Sequence, residues 1–347
     1  MLARLILRSS FFLLESEHDI FQVSRLRVRF LLGAPILSVT IAFDARYVHI
    51  QFMTNSIIPD VCDRPLPAKR GPKRSIPDGA CDCHFHVFDS PSKQVVERSY
   101  TAPDAKMGEY MHLRDVLGLT RGVLVQPSVY GLDNQTTLKS AAEIPNVKSL
   151  VVINQTTSVS EIQRMTDAGA VGCRVNLLFP SDAVISDLRA LAQQIADFGW
   201  HLQILADVSN LADLTELVTS LPVPLMFDHL GHFPISASIN HASVDAFIRL
   251  LGDGKIWTKI SAPYRTTGSV MTDYSDVGEF VTKLTALNPD NLVWGTDWPH
   301  PKFDGPMPDD TDMLDQFMDW VPNAQLCHKI LVENPERFYQ FSLLKGM

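Results

Sequence analysis

The chain has few cysteines, no glycine-rich phosphate loop, no apolar run of membrane length and no surplus of positive charge. Each shortage excludes a class of protein. The five cysteines among 347 residues (Cys62, Cys81, Cys83, Cys173 and Cys327) form an odd, scattered set. That is not a disulfide framework, and it fits a reducing, cytoplasmic setting. No G-x-G-x-x-G follows the first strand-like segment, so the fingerprint of a dinucleotide site is missing. The apolar stretch Phe30–Phe43 is about 14 residues long and is broken by Gly33 and Pro35, whereas a bilayer span needs about 20. Thirty basic against 39 acidic residues leave a net charge of −9, a poor match for a phosphate backbone. The expected partner is a small-molecule substrate, with no nucleic acid and no membrane, for a monomer or small homo-oligomer.

What is present is an ordinary globular composition, 46% hydrophobic and 20% charged. It is enough for one α/β barrel or two smaller domains. Residues 1–52 do not read like the rest. Arg4 and Arg8 interrupt the apolar core that a secretory signal would need, while the basic, apolar opening turn, with its first acid at Glu15, is similar to a mitochondrial presequence. The expectation is an extension outside the fold, with Met53 as the working start and mitochondrial targeting as the alternative. Residues 53–78 form a Pro-rich basic lead-in, with Pro65, Pro67, Pro72 and Pro77 among Lys69, Arg70, Lys73 and Arg74. Such a stretch is a linker or a surface arm. The folded domain is expected over 79–347.

From residue 80 onward short apolar runs alternate with amphipathic stretches, the pattern of repeated βα units. The predicted strands are Ala80–His86, Gly122–Pro127, Ser149–Asn154, Val171–Asn176, His201–Leu205, Pro224–His229, Ile256–Ser261 and Leu292–Asp297. Among the helices, Ser158 with Glu161 forms a capping-box pattern closed by Gly169, and Asp182–Phe198 and Asp273–Leu287 carry helical apolar spacing. Eight alternating strands point to a (β/α)8 TIM barrel, with an open doubly wound sheet as the alternative.

Polar residues gather at one end of these strands: His84 and His86, Gln126 and Ser128, Arg174 and Asn176, Asp228 and His229, Lys259 and Ser261, and Asp297. Any one of them alone suits a hydrogen-bonded structural group. Six strands ending this way suit an active site at the C-terminal face of a barrel. The two-residue spacing of His84 and His86 puts both rings on one strand face. Cys81 and Cys83 are expected to pack outward, on the opposite face.

The segments Asp82-Cys83-His84-Phe85-His86-Val87-Phe88-Asp89, Phe227-Asp228-His229-Leu230-Gly231, Trp294-Gly295-Thr296-Asp297-Trp298-Pro299-His300-Pro301 and Glu333-Asn334-Pro335-Glu336-Arg337-Phe338-Tyr339 resemble the amidohydrolase superfamily, in its amidohydrolase-2 branch. Through Lys259–Arg265 and Val125–Ser128 the chain is most similar to the 2-pyrone-4,6-dicarboxylate hydrolases of that branch. The likeness runs from about residue 78 to the C-terminus. It implies a lactonase of aromatic catabolism, with Asp297 as general base and His84, His86 and His229 donating hydrogen bonds to the lactone carbonyl. Arg174 and Arg265 are expected to anchor carboxylates, with Gln126, Ser128 and Tyr264 as neutral substrate contacts. For either arginine the alternative is a salt bridge to a neighbouring carboxylate.

No metal and no other cofactor is expected. Metal-dependent members of the superfamily carry a Lys or Glu on strand four and a His ending strand five, where this chain has Arg174 and Leu205. His201 lies at the wrong end of its strand and reads as structural. Two substrate contacts of the dicarboxylate lactonases are replaced, a second arginine by the neighbourhood of Pro180 and a tyrosine by Leu205, so the expected substrate has one carboxylate fewer or is more apolar. The rival readings are a metal-dependent decarboxylase, a sugar-lactone hydrolase and a catalytically dead binding protein.

Overall fold

Eight short apolar segments pair in sequence order into one parallel sheet. The computed structural model describes residues 12–17, 25–30, 37–44, 47–54, 58–89, 93–178, 185–268 and 273–341. The barrel strands are β5 (Cys81–Phe85), β6 (Arg121–Val125), β7 (Val147–Val151), β8 (Ala170–Asn176), β9 (His201–Leu205), β10 (Leu225–Phe227), β11 (Trp257–Ile260) and β12 (Leu292–Trp294). Helices α1 (Met107–Leu117), α2 (Gln135–Ala142), α3 (Val159–Asp167), α4 (Ile185–Ala196), α5 (Leu214–Ser220), the one-turn α6 (Ile235–Ser238), α7 (Ala242–Gly252), α8 (Ser275–Leu287) and α9 (Asp310–Trp320) alternate with them. Helices α10 (Ala324–His328) and α11 (Asn334–Tyr339) follow, joined by a π-helical turn. This is the (β/α)8 barrel expected from the sequence. Ser158 caps α3 as its motif predicts, its Oγ accepting from Glu161 N at 3.2 Å, and Gly169 follows with φ +94°. The predicted strands overran where the chain leaves the ladder: Leu292–Asp297 ends as β12 at Trp294.

Residues 12–54 hold a separate antiparallel meander, β1 (Phe12–Glu17), β2 (Arg25–Phe30), β3 (Leu37–Asp44) and β4 (Tyr47–Thr54), in the order β1-β2-β3-β4. Among the described residues no helix is long and apolar enough to cross a membrane. The basic lead-in lies along the barrel as an arm: Arg64 reaches Asp104 at 3.0 Å and Arg74 reaches Asp319 at 2.9 Å, while Arg70 pairs with Asp312 and Asp315 of α9.

Strands β5 and β12 share no ladder, and a buried carboxylate closes the gap. Asp82 Oδ1 accepts from His84 N and Thr296 N, both at 3.0 Å, and Oδ2 accepts from Thr296 Oγ1 at 2.7 Å and Tyr110 OH at 3.1 Å. Backbone bonds complete the seam, Asp297 N to His84 O and His86 N to Trp298 O, both 2.8 Å. Burial pushes the Asp82 carboxyl up to about 6 despite these donors. Gly295 permits the close approach, since a Cβ there would stand 2.8 Å from His84 N.

The expected outward packing of Cys81 and Cys83 is not found. Both join Val123, Val125, Leu150, Met226 and Val293 in a cluster fed by five strands, which can meet only inside the barrel. The reason is a register shift in β5 between Asp82 and Phe85, which breaks the strict alternation and turns Cys83 and His84 to the same side. Tyr339 and Phe341 close the bottom of this cluster. His201 sits there too, its ring 4.5 Å from Phe338, and burial drops its pKa to about 3.

Candidate active site

The ends of β5, β10 and β12 converge on one buried carboxylate oxygen. Asp297 Oδ1 lies 3.5 Å from His84 Nε2, 3.8 Å from His86 Nε2 and 3.7 Å from His229 Nε2. Its Oδ2 accepts from Tyr264 OH at 2.7 Å and Arg265 Nε at 2.8 Å. The four residues predicted as the catalytic group are thus together, each 2% exposed or less. The turns that deliver them are strained. His229 (φ +49°), Leu230 (+56°), Ala262 (+47°), Asp297 (+66°) and His300 (+59°) all occupy the left-handed region that non-glycine residues avoid.

Burial, foremost, lowers the pKa of His84, His86 and His229, so the imidazoles are neutral. Burial alone would raise Asp297, but the Arg265 guanidinium and the facing imidazoles outweigh it and hold the carboxyl well below its usual range. The ring polarity of His86 follows from its partner. Its Nδ1 stands 2.8 Å from Val125 O, which can only accept, so Nδ1 carries the proton and Nε2 is a lone pair. His86 therefore cannot donate to a carbonyl while neutral, contrary to the role expected for it. His229 Nδ1 meets Ser261 Oγ at 2.9 Å, and with that hydroxyl as donor the ring presents Nε2–H to the site.

Beneath this group lies a second buried charge cluster. Asp228 Oδ2 accepts from Arg174 Nε at 3.3 Å, and its Oδ1 is 3.4 Å from Lys259 Nζ. Burial would raise Asp228, but His84, Lys259 and Arg174 hold it well below its usual range.

Above Asp297 opens a cleft with about 420 Å³ of empty space, the open solvent at its mouth included. His86, Ser128, Arg174, Leu205, His229, Arg265 and Asp297 line it, together with Tyr100, Asn176, Leu178, His232, Pro301 and Lys302. Of the expected substrate contacts, Ser128, Arg174 and Arg265 are on this wall. Both arginines also pair with a carboxylate of the chain, the alternative held open for them, and Arg265 further donates to Pro301 O at 2.8 Å. Two expected contacts are elsewhere. Gln126 is fully buried, its Nε2 donating to Gly131 O and Asp133 O and its Oε1 accepting from Thr137 Oγ1, so it pins a loop. Val125 faces inward, and the next side chain along the strand turns away from the cavity. Tyr264 is not on the cavity wall; it bridges Asp297 and His300 Nδ1 (2.9 Å). The neighbourhood of Pro180 lies outside the described residues.

His84, His229 and Asp297 offer ligand atoms within 4.8 Å of one another, a spacing that suits a divalent ion. The charge balance does not fit one. Asp228 already contacts Lys259 and Arg174, and Asp297 contacts Arg265, so three cations face two carboxylates in a buried site. A dication added there meets a net positive surrounding.

A (β/α)8 barrel with an H-x-H pair ending its first strand, a histidine after the sixth and an aspartate after the eighth defines an amidohydrolase-type hydrolase. The amidohydrolase family profile matches residues 81–341, and the chain belongs to that family. Among its relatives is the 2-pyrone-4,6-dicarboxylate hydrolase of Comamonas testosteroni, 32% identical over 286 residues, covering 77% of this chain and 92% of the relative. The 4-sulfomuconolactone hydrolase of Rhizobium radiobacter is 31% identical over 290 residues, covering 79% and 96%. An apo crystal structure of an Agrobacterium tumefaciens protein superposes with a TM-score of 0.69 at 27% identity, covering 78% of this chain and 99% of that one.

Proposed function

We propose that the chain hydrolyses the ester bond of an anionic lactone, with no metal in the reaction. The observation that carries this reading is Asp297 Oδ1, set among three imidazole Nε2 atoms at the floor of a cavity walled by Arg174, Arg265 and Lys302. Asp297 is ionised throughout the neutral range and takes a proton from water; the hydroxide adds to the lactone carbonyl carbon. The oxyanion accepts from His229 and from His84, whose Nε2–H turns to it from His86, and the lone pair so released on His86 orients the water. Collapse of the tetrahedral centre breaks the ring C–O bond, and Asp297 returns its proton to the leaving oxygen.

The cationic wall selects an anion such as a carboxylate or sulfonate, matching the lactones named for the relatives, pyrone dicarboxylate and sulfomuconolactone. Leu205 and Leu178 on the same wall favour an apolar flank, hence one acidic group fewer than the pyrone dicarboxylate carries. The same arginines disfavour a neutral sugar lactone. Leu205 stands where a metal-dependent decarboxylase would place its strand-five histidine, which disfavours that reading too. The cysteines, all five free, suit a cytoplasmic setting. Asp297→Asn keeps the volume and removes the base, so kcat on an anionic lactone should fall by about 100- to 10,000-fold. Unchanged turnover in this variant would remove Asp297 from the role.

A further inference from the structure

Lys259 rises from β11 inside the barrel, fully buried, directly beneath His84. Its ammonium meets three acceptors: Gln203 Oε1 at 2.6 Å, Cys83 O at 2.9 Å and His84 Nδ1 at 3.1 Å. An ammonium has three protons and no lone pair, so a bond from it to Nδ1 makes that nitrogen the acceptor, while the carboxylate Asp228 Oδ1, 3.2 Å from the same Nδ1, competes for a proton there. The other end of the ring decides between them. His86 Nε2 is a lone pair because its Nδ1–H is given to Val125 O, and it lies 3.2 Å from His84 Nε2. One of those two nitrogens must donate, and only His84 can. Asp228 Oδ1 lies 3.4 Å from the ammonium as well as 3.2 Å from His84 Nδ1, so Lys259 stands between that carboxylate and sole possession of the ring nitrogen.

We propose that Lys259 is a positioning residue that locks His84 in its Nε2–H form, making His84 an oxyanion donor and withholding from any divalent metal the lone pair that ligation requires. The proposal rests on reading this site as a metal-free hydrolase. Remove the ammonium, and Asp228 Oδ1 becomes the partner of His84 Nδ1. The proton moves to Nδ1, and Nε2 becomes a lone pair aimed at Asp297 Oδ1 and His229. A single buried ammonium beneath the histidines thus separates a proton-donating centre from a metal-binding one.

The full chain, labelled with ¹⁵N-histidine, reports the protonated nitrogen of each ring by long-range ¹H–¹⁵N correlation, with His84 assigned by the signals lost in His84→Gln. The wild type should show His84 protonated on Nε2 and His86 on Nδ1. In Lys259→Met, where Arg174 still partners Asp228, His84 should switch to Nδ1–H. After exposure to Zn²⁺ and desalting, that variant should retain about one equivalent of zinc by elemental analysis, and the wild type under about a tenth. A wild-type His84 protonated on Nδ1 overturns the proposal even if the variant does not fold. So does a folded Lys259→Met protein that keeps Nε2–H or takes up no zinc. Neither readout depends on turnover: failure on every lactone with the tautomers as stated would sink the hydrolase reading alone.

Discussion

Replacing Gly295 with alanine tests whether the seam between β5 and β12 sets the position of His84. The new Cβ would lie 2.8 Å from His84 N, 2.9 Å from His84 Cβ and 3.3 Å from Asp82 Oδ1. Unstrained contacts between such atoms need about 3.5 Å or more, so the strands must part by roughly 0.7 Å or more. Overpacking of this kind costs about 1–3 kcal/mol. For a domain of this size that corresponds to roughly 2–4 °C per kcal/mol, hence a fall in Tm of about 2–12 °C. His84 Nε2 is only 3.5 Å from Asp297 Oδ1, and a displacement approaching 1 Å can cost about 100-fold in rate. Steady-state kinetics and a thermal melt read both effects. kcat should drop by about 10- to 100-fold, with KM little changed, because Arg174, Arg265 and Lys302 stand on the other walls. A Gly295→Ala enzyme with the wild-type Tm and kcat would show that the seam does not constrain His84 as argued.

Tyr264→Phe removes the hydroxyl that donates to Asp297 Oδ2 but leaves Arg265 in place. Losing one hydrogen bond to a charged group costs about 1.5–3 kcal/mol, so kcat should fall roughly 10-fold or more while product affinity, measured by calorimetry, stays constant. A rise in KM alone would instead make Tyr264 a substrate contact. Asp82 supplies a pH test. Its folded pKa of about 6 stands above the model-peptide 3.8, so the folded state holds the proton more tightly. The resulting stability is fully present below pH 3.8 and is lost as pH rises towards 6, by up to about 3 kcal/mol. Urea midpoints should show this loss between pH 4 and 6 in the wild type and not in Asp82→Asn; parallel curves would contradict it.

The barrel was legible because strands covered on both faces spell near-continuous apolar runs, and because His84, His86, His229 and Asp297 interrupt them at a single end. The meander was written as plainly. Arg25-Leu26-Arg27-Val28-Arg29-Phe30 alternates with period two, a strand signal that the overall composition of residues 1–52 hides. Lys259 and Asp228 are charges inside apolar strands, a signal strong enough to single them out, but strand position alone does not say that they pair with each other. Gln126 and Tyr264 misled for a different reason. Their position along the chain says that they lie near the rim, but the direction of each side chain depends on alternation and on the left-handed turn at Ala262. The role of Asp82 depends on a contact with Thr296, 214 positions away, which no local pattern encodes. Tyr100 and Lys302 come to the cavity from loops, where there is no periodicity to read.

Metal-free hydrolysis of an anionic lactone by Asp297 and its neutral histidines, as proposed, is open to direct test. The most direct measurement is the turnover of such a lactone by the full chain after exhaustive chelation, with residual metal quantified in the same sample. Full activity is expected at well under one metal per chain. A rate that vanishes on chelation and returns in proportion to added Zn²⁺ or Mn²⁺ would contradict it.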